Sequence, residues 1–192
     1  PSAEVLAGQA TVIQDLQLVM ESCRRLLAEL ARPEAERDAV VPLALWSAAL
    51  VAYARCFSER CGLTEADLRS LPLQGEVLKF HTWVIEERDR HIQHAADPFE
   101  VAQVGVALAP AKATRRVTGI TVLNTRHVLV DDTGVRQLGG VASELAKQAA
   151  DRARGQQDVV LADARKLSLD TLYTLPALPV QSPGAQPIPT SP

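Results

Sequence analysis

Apolar residues recur at three- and four-residue steps through the first part of the chain, and this spacing predicts an amphipathic helix over residues 3–31. The repeating positions are Val5, Leu6, Val12, Ile13, Leu16, Val19, Met20, Cys23, Leu26, Leu27 and Leu30. Pro33 ends the pattern because proline has no backbone N–H and cannot continue a helix.

A second helical pattern begins after Asp38, whose side chain is of a type that caps helix N-termini. It runs through "LALWSAALVAYARCFSER", tolerates Pro42 near its first turn, and is predicted to end at Gly62. The next segment, "TEADLRSL", predicts a short helix in which Thr64 and Asp67 have the spacing of a capping pair.

A further helix is predicted over "QGEVLKFHTWVIEERDRHIQHA", which Asp97-Pro98 terminates. From Phe99 the pattern changes to alternation, and "FEVAQVGVALA" and "RVTGITVLNTRHVLVDD" predict two or three antiparallel strands. "DDTG" predicts a turn that leads into a final helix from about Val135 to Lys166. Half of the twelve prolines lie after Tyr173 in a segment without charge, which is typical of a disordered tail.

These elements predict a mainly α protein with four parts. They are a helical core over 1–98, a β-hairpin or small-sheet insertion over 99–132, a closing helix of the same domain over 133–170, and a flexible Pro-rich tail over 171–192. Hydrophobic residues make up 47% of the chain and aromatic residues only 4%. This aliphatic composition favours helix packing over a β-sandwich.

Charge and cysteine usage narrow the functional classes. A net charge of −3 excludes a polycation that coats nucleic acid through bulk charge, so any anion site must be a local patch. Cys23, Cys56 and Cys61 have no C-x-x-C spacing, which argues against a disulfide framework or a zinc ribbon and fits a reducing cytoplasm. The sequence has neither a membrane-spanning apolar run nor a secretory signal pattern, so we expect a cytoplasmic protein that does not contact a membrane.

Two arginines and two histidines fall within seven residues near the end of the helix before Asp97: Arg88, Arg90, His91 and His94. At about 100° per residue, His81 and Arg88 lie nearly one above the other, and His91 follows Arg88 by one turn. His94 is rotated by roughly a third of a turn from Arg88 in a regular helix. One regular helix therefore does not bring Arg88 and His94 to a single point, whereas two copies of this helix end that face each other could place both in a shared cleft.

Three interpretations of this cluster remain open. A neutral imidazole beside a guanidinium suits metal-free RNA cleavage, in which histidine moves the proton and arginine stabilises the phosphorane. A metal site built from His91, His94 and Glu87 is weaker, because the ligand set is sparse and the arginines oppose a divalent cation. A purely structural role is also open, since arginine and histidine stabilise the last turn of a helix.

The segment "ERDRHIQHA" resembles the signature of the HEPN superfamily, an arginine followed by a polar residue, four further residues and a histidine. Here these are Arg88, Asp89, "RHIQ" and His94. "LVAYARCFSERCG" and His81 are also similar to bacterial HEPN-like proteins of about this size. The resemblance covers roughly residues 5–100. It implies an up-and-down helical bundle that forms a homodimer with the two motif helices lining a cleft.

The resemblance also implies a function. Many such proteins are metal-independent endoribonucleases in toxin–antitoxin, defence or RNA-processing systems, whereas others are catalytically silent binding modules. The roles that the resemblance implies are catalysis for Arg88 and His94, orientation for Asp89, and support or phosphate binding for Arg90, His91 and His81.

The expected partners are a second copy, an RNA substrate and an antitoxin or other protein, with no cofactor and no metal. The β-rich stretch 99–130 departs from a minimal HEPN bundle, and the acidic net charge gives no help in binding RNA. Two alternatives to a ribonuclease stay open. One is a silent HEPN-like interaction module, and the other is a phage or mobile-element accessory protein with a docking tail.

Overall fold

A computed structural model gives the protein as mainly helical, with one two-stranded antiparallel sheet. The residues that the structure describes are 2–38, 40–58, 62–90, 100–110, 115–126 and 131–177. The elements, in chain order, are α1 Ser2–Leu30, α2 Val40–Arg55, α3 Glu65–Arg69, α4 Val77–Arg88, β1 Glu100–Leu108, β2 Val117–Arg126, α5 Asp132–Ala164 and α6 Leu169–Tyr173. A 3₁₀ turn over Glu34–Glu36 lies between α1 and α2. The prediction of a mainly α protein with a small antiparallel insertion is confirmed.

The core lies between α1 and its two neighbours, α2 and α5, while α4 packs on α2 and on the short α3. The predicted apolar stripe of α1 is confirmed, because its buried residues follow the three- and four-residue spacing. Among the largest fully buried side chains are Leu16, Leu26, Leu50, Leu138, Leu145 and Tyr53. Aliphatic side chains therefore supply most of the packing, as the composition indicates.

Helix α2 begins as the sequence predicts and ends earlier. The Asp38 carboxylate accepts hydrogen bonds from the backbone N–H of Val40 at 2.7 Å and of Val41 at 3.3 Å. The predicted end at Gly62 is wrong, since α2 ends at Arg55. After the helix, backbone hydrogen bonds connect residues three apart, and the first of them runs from the N–H of Cys56 to the carbonyl of Tyr53.

Helix α3 is fixed at its start by the predicted capping pair. The Asp67 carboxylate accepts a hydrogen bond of 2.7 Å from the backbone N–H of Thr64. Its other oxygen pairs with the guanidinium of Arg152 on α5. Asp67 therefore both caps α3 and joins it to α5, and the side chain is buried with two cationic or N–H partners.

Helix α5 begins inside the segment predicted as a turn. The side chain of Asp131 accepts a hydrogen bond of 2.8 Å from the N–H of Gly134, and the helix runs from Asp132 to Ala164 without a break at its glycines. A Cβ added to Gly139 would lie 3.5 Å from Cβ of Cys23, which is an ordinary van der Waals distance, so α5 packs directly against α1 at this position. Residues 178–192, most of the predicted tail, lie outside the described residues.

The hairpin of β1 and β2 is regular over most of its length. Val104 pairs with Val122 and Val106 with Ile120, with one irregularity between Ala107 and Leu108. Within the described ranges, none of the helices is both long and apolar enough to cross a membrane.

Candidate functional site at the end of helix α4

Helix α4 carries the first half of the predicted motif and is anchored to α2 by aromatic contacts. The rings of Trp46 on α2 and Trp83 on α4 lie 6.3 Å apart, with an interplanar angle of 41°. Val84 is fully buried on the same helix. This packing fixes the orientation of α4, and with it the direction in which Arg88 leaves the helix.

Arg88 is the last residue of α4 and lies beside Asp89. Its Nη2 atom is 2.6 Å from Oδ1 of Asp89, and the two side chains are 29% and 40% exposed. The contact lacks hydrogen-bond geometry, because Asp89 Oδ1 and Arg88 Nε are both buried without a hydrogen-bond partner in the described part of the chain. The pair is thus balanced in charge, and the exposed part of the guanidinium remains accessible to solvent.

The chain leaves α4 through a π-helical turn at Asp89 and Arg90. Such turns widen the helix by one residue and are frequent at functional sites. His94 lies outside the described residues, so its offset from Arg88 stays a prediction.

Arg90 makes its contacts with two glutamates on α4. Its Nη2 atom lies 3.6 Å from Oε2 of Glu86 and 3.6 Å from Oε2 of Glu87, and its Nε donates to the Glu86 carbonyl at 3.4 Å. Glu87 is 3% exposed. A buried carboxylate is costly unless a cation or a hydrogen-bond donor accompanies it. The structure therefore gives Arg90 a structural partner in addition to the phosphate-binding role expected from the sequence.

His81 lies in an aromatic cluster between α2 and α4. Its Nδ1 atom is 3.0 Å from the hydroxyl oxygen of Tyr53, and its ring centroid is 4.4 Å from that of Phe57. Burial lowers the pKa of His81, and the charge of Glu65 opposes that shift. Burial raises the pKa of Tyr53, with the nearby Cys56 adding to the shift. His81 is therefore a neutral imidazole at neutral pH, held by hydrogen bonding and ring packing.

His81 is not brought to the guanidinium end of the motif by its own helix. Arg88 follows it by seven positions, which corresponds to about 10 Å along a helix axis. His91 and His94 lie outside the described residues, as does the metal-ligand set that includes them. In the parts of the chain that the structure describes, no three histidine, cysteine, aspartate or glutamate side chains lie together as a metal site would require.

Sequence reasoning did not find two of the contacts that hold the helices together. Tyr53 and His81 are on different helices, and no spacing rule connects them. The same holds for Asp15, a buried aspartate of α1, whose Oδ2 atom lies 3.3 Å from Nε of Arg55 on α2. The sequence does carry one signal for the second contact, because Asp15 is a single aspartate within the apolar stripe of α1. A buried aspartate needs a cationic or N–H partner, so this position predicts such a partner on another element.

A cavity of about 700 Å³ lies away from the motif. It is formed by the loop before α4, the start of α4 and the first turns of α5. Its lining includes Val77, Phe80, Lys79, Arg136 and Gly140, and none of the predicted motif residues. Its size is in the range of small-molecule sites, but its position separates it from Arg88.

Comparison with protein-family models, with curated proteins and with solved structures gave no match to this chain. The family resemblance of "ERDRHIQHA" therefore stays a prediction based on those residues.

Proposed function

We propose that this chain is a metal-independent endoribonuclease of the HEPN type that acts as a homodimer in a toxin or defence role. The observation that carries the proposal is the Arg88–Asp89 pair at the π-helical turn that ends α4. A carboxylate 2.6 Å from the guanidinium positions it at the helix end, and the Arg88 side chain is 29% exposed, so part of the guanidinium is accessible to another oxyanion.

The proposed chemistry divides the roles as follows. His94 removes the proton from a ribose 2′-hydroxyl, and the resulting oxygen attacks the adjacent phosphorus. Arg88 donates to the phosphoryl oxygens as negative charge develops on them, and Asp89 orients the guanidinium. The 5′-oxygen leaves and takes up a proton, which gives a 2′,3′-cyclic phosphate and a free 5′-hydroxyl. Arg90 and His91 supply further phosphate contacts.

The test is cleavage of a mixed tRNA and mRNA pool in EDTA by the wild type, Arg88→Ala and His94→Ala. Arg69→Ala is the matched control, because Arg69 is an exposed arginine whose partner is Glu65 one turn earlier at 2.9 Å. We expect each motif variant to lose roughly 100-fold or more in rate and the control to cut like the wild type. Cyclic phosphate ends on the products would support the mechanism. Wild-type protein that folds but does not cut, or motif variants that cut normally, would contradict it.

A second candidate function is a catalytically silent interaction module. It is favoured by the contacts of Arg90, which pair it with Glu86 and the buried Glu87 and so give the basic helix end a structural role. In that case Arg88→Ala and His94→Ala would retain the same partners in a pull-down, and the wild type would leave RNA intact.

A further inference from the structure

The hairpin of β1 and β2 has an apolar face that no helix of the described chain covers. Cross-strand partners lie on the same face of an antiparallel pair, so the pairings Val104–Val122, Val106–Ile120 and Leu108–Val117 form one continuous surface. We call this surface the hairpin face; its six side chains are Val104, Val106, Leu108, Val117, Ile120 and Val122. They are 59–72% exposed.

The opposite side of the same strands has a different composition. Gln103 pairs with Leu123, Gly105 with Thr121, and Ala107 with Gly119. Apart from Leu123, which is 58% exposed, the residues of this side are small or polar, and they alternate with the large aliphatic ones. This is close to the pattern of a sheet buried on one side, and the large aliphatic residues are concentrated on the hairpin face.

The hairpin face has no charge. Residues 101–110 and 117–125 contain no Asp, Glu, Lys, Arg or His. A phosphate backbone or a charged peptide would find no complementary group there, since such ligands are recognised by cations or ion pairs. The covering layer must therefore itself be apolar.

We propose that the hairpin face is a dimer interface and that its occupant is the same face of a second copy. The face is self-complementary under a two-fold axis, as a symmetric dimer requires. Two such hairpins stacked face to face, about 10 Å apart, form a four-stranded two-layer sheet. A single two-stranded hairpin is marginally stable in water, so stacking also stabilises the hairpin itself.

The exposed apolar area of the hairpin face is close to the area that a dimer interface buries on each partner. Six large aliphatic side chains at this exposure present on the order of 600 Å² per copy. Stable interfaces bury about 800 Å² per partner, and the edges of the two strands add to the aliphatic area. The face is thus close to the size that one identical partner covers, and its uncharged composition matches the apolar centre of a symmetric interface.

This proposal shares with the proposed function the assumption that the chain forms a homodimer. It adds to that assumption the surface through which the two copies bind each other. In the sequence, the hairpin follows the Arg88–Asp89 pair, with Arg90 and residues 91–99 between them. Dimerisation through the hairpin face can be measured without RNA, so failure of the interface and failure of RNA cleavage are separate results.

The test is the oligomeric state of the full chain by sedimentation equilibrium from about 1 to 100 μM, a range that spans typical dimer affinities. Ile120→Asp places a carboxylate in the hairpin face, whereas Thr121→Asp, on the neighbouring residue, places it on the opposite side. We expect a wild-type dimer, a dissociation constant raised by roughly 100-fold or more in Ile120→Asp, and a dimer in Thr121→Asp. Equal helical circular dichroism in all three proteins would show that the core is intact.

Several results would overturn the proposal. One is a monomeric wild type across the whole range, and another is a dimer that Ile120→Asp leaves unchanged. Truncation after residue 177 tests whether the chain's own C-terminal segment covers the hairpin face. If truncation, rather than Ile120→Asp, changes the assembly, that segment is the occupant. Co-sedimentation of monomeric wild type, but not Ile120→Asp, with phosphatidylcholine vesicles would identify a lipid surface instead.

Discussion

The hydroxyl of Tyr53 lies 3.0 Å from Nδ1 of His81 and joins α2 to α4 through the interior of the bundle. Tyr53 is fully buried, and the Phe57 ring packs 5.1 Å from the Tyr53 ring and 4.4 Å from the imidazole. This contact fixes the helix that ends in Arg88 to the helix that supplies most of its packing. The stability of the bundle and the position of the candidate site therefore depend on the same pair.

Removing the Tyr53 hydroxyl should destabilise the protein. Tyr53→Phe leaves Nδ1 of the half-buried His81 without its partner, which lowers the free energy of unfolding by about 1–2 kcal/mol. Urea unfolding at pH 7.5 measures the change. Tyr173→Phe is the matched control, because Tyr173 is 87% exposed and its hydroxyl removal should have no measurable effect. Equal stability of the two variants would exclude a role for the Tyr53–His81 bond.

The lowered pKa of His81 should make stability depend on pH. The folded state resists protonation of this imidazole, whereas the unfolded state accepts a proton near the ordinary value of 6.5. The unfolded chain then binds more protons as pH falls below 6.5, so the free energy of unfolding decreases there and is constant with respect to this group above it. His81→Gln should show a shallower decrease between pH 6.5 and 5. Parallel pH profiles for the wild type and His81→Gln would contradict this assignment.

Asp67 should contribute far more to stability than its neighbour Glu65. Burial raises the pKa of Asp67, but hydrogen bonds from Arg152 and Thr64 outweigh it and leave the pKa lowered. Asp67→Asn weakens the cap of α3 and its link to α5, and should lower the free energy of unfolding by about 1–3 kcal/mol at neutral pH.

Glu65→Gln is the matched control for Asp67, since the Glu65–Arg69 pair is exposed and lies within one helix turn. A change below about 0.5 kcal/mol is expected for it. The contribution of Asp67 to stability should also be lost as the pH falls below 3.8, the ordinary pKa of an aspartate. In that range the carboxyl group takes up a proton in the unfolded chain before it does so in the folded protein. Urea unfolding of both variants at pH 7 and pH 3 checks each part.

Leucine substitutions at the two adjacent glycines of α5, Gly139 and Gly140, should have opposite effects on the free energy of unfolding. A Cβ on Gly139 would already lie 3.5 Å from Cβ of Cys23, so the remaining atoms of leucine would force α5 away from α1. Gly139→Leu should lower the free energy of unfolding by about 1–3 kcal/mol. A Cβ on Gly140 would meet nothing within 4 Å, so Gly140→Leu should gain up to about 1 kcal/mol of helix propensity. Thermal unfolding of the two variants gives the comparison directly.

Arg88→Lys tests whether RNA cleavage needs a guanidinium or only a positive charge. Lysine keeps the charge but lacks the planar set of donors that spans two phosphoryl oxygens. We expect the cleavage rate in EDTA to fall by roughly 10- to 100-fold, with little change in stability. Arg90→Lys, which preserves the ion pair with Glu87, should retain most of the rate. Full activity of Arg88→Lys would assign Arg88 a purely electrostatic contribution.

Local patterns predict the elements of this fold well where each signal lies within one segment. The stripe of α1, the Thr64–Asp67 cap and the alternation of the hairpin are all of this kind. The end of α2 at Arg55 was missed because neither glycine nor proline follows it directly; Cys56, the first residue of the turn, is fully buried. Tyr53–His81 and Asp67–Arg152 are likewise tertiary contacts, and only the packing of separate helices brings their partners together.

The sequence supplies the residues of the candidate site but not their geometry. The cluster of Arg88, Asp89 and Arg90 follows from the sequence, whereas the π-helical turn at its end does not. The Arg90–Glu87 ion pair could be predicted from the sequence, since residues three apart are neighbours on a helix. The burial of Glu87, which gives that pair its structural importance, depends on the packing of α4.

The antiparallel packing of α1 on α5 has a consequence for the order of events during protein synthesis. The hydroxyl of Ser2 donates to Asp163 at 2.9 Å, and Gln156 donates to the Ser2 carbonyl at 2.9 Å, so α1 is completed only by the far part of α5. At about 5–20 residues per second, the chain between α1 and the end of α5 takes on the order of 10 seconds to appear. During that interval the apolar stripe of α1 is covered only in part, by α2. We therefore expect the nascent chain to expose an aliphatic surface that chaperones can bind until α5 has been synthesised.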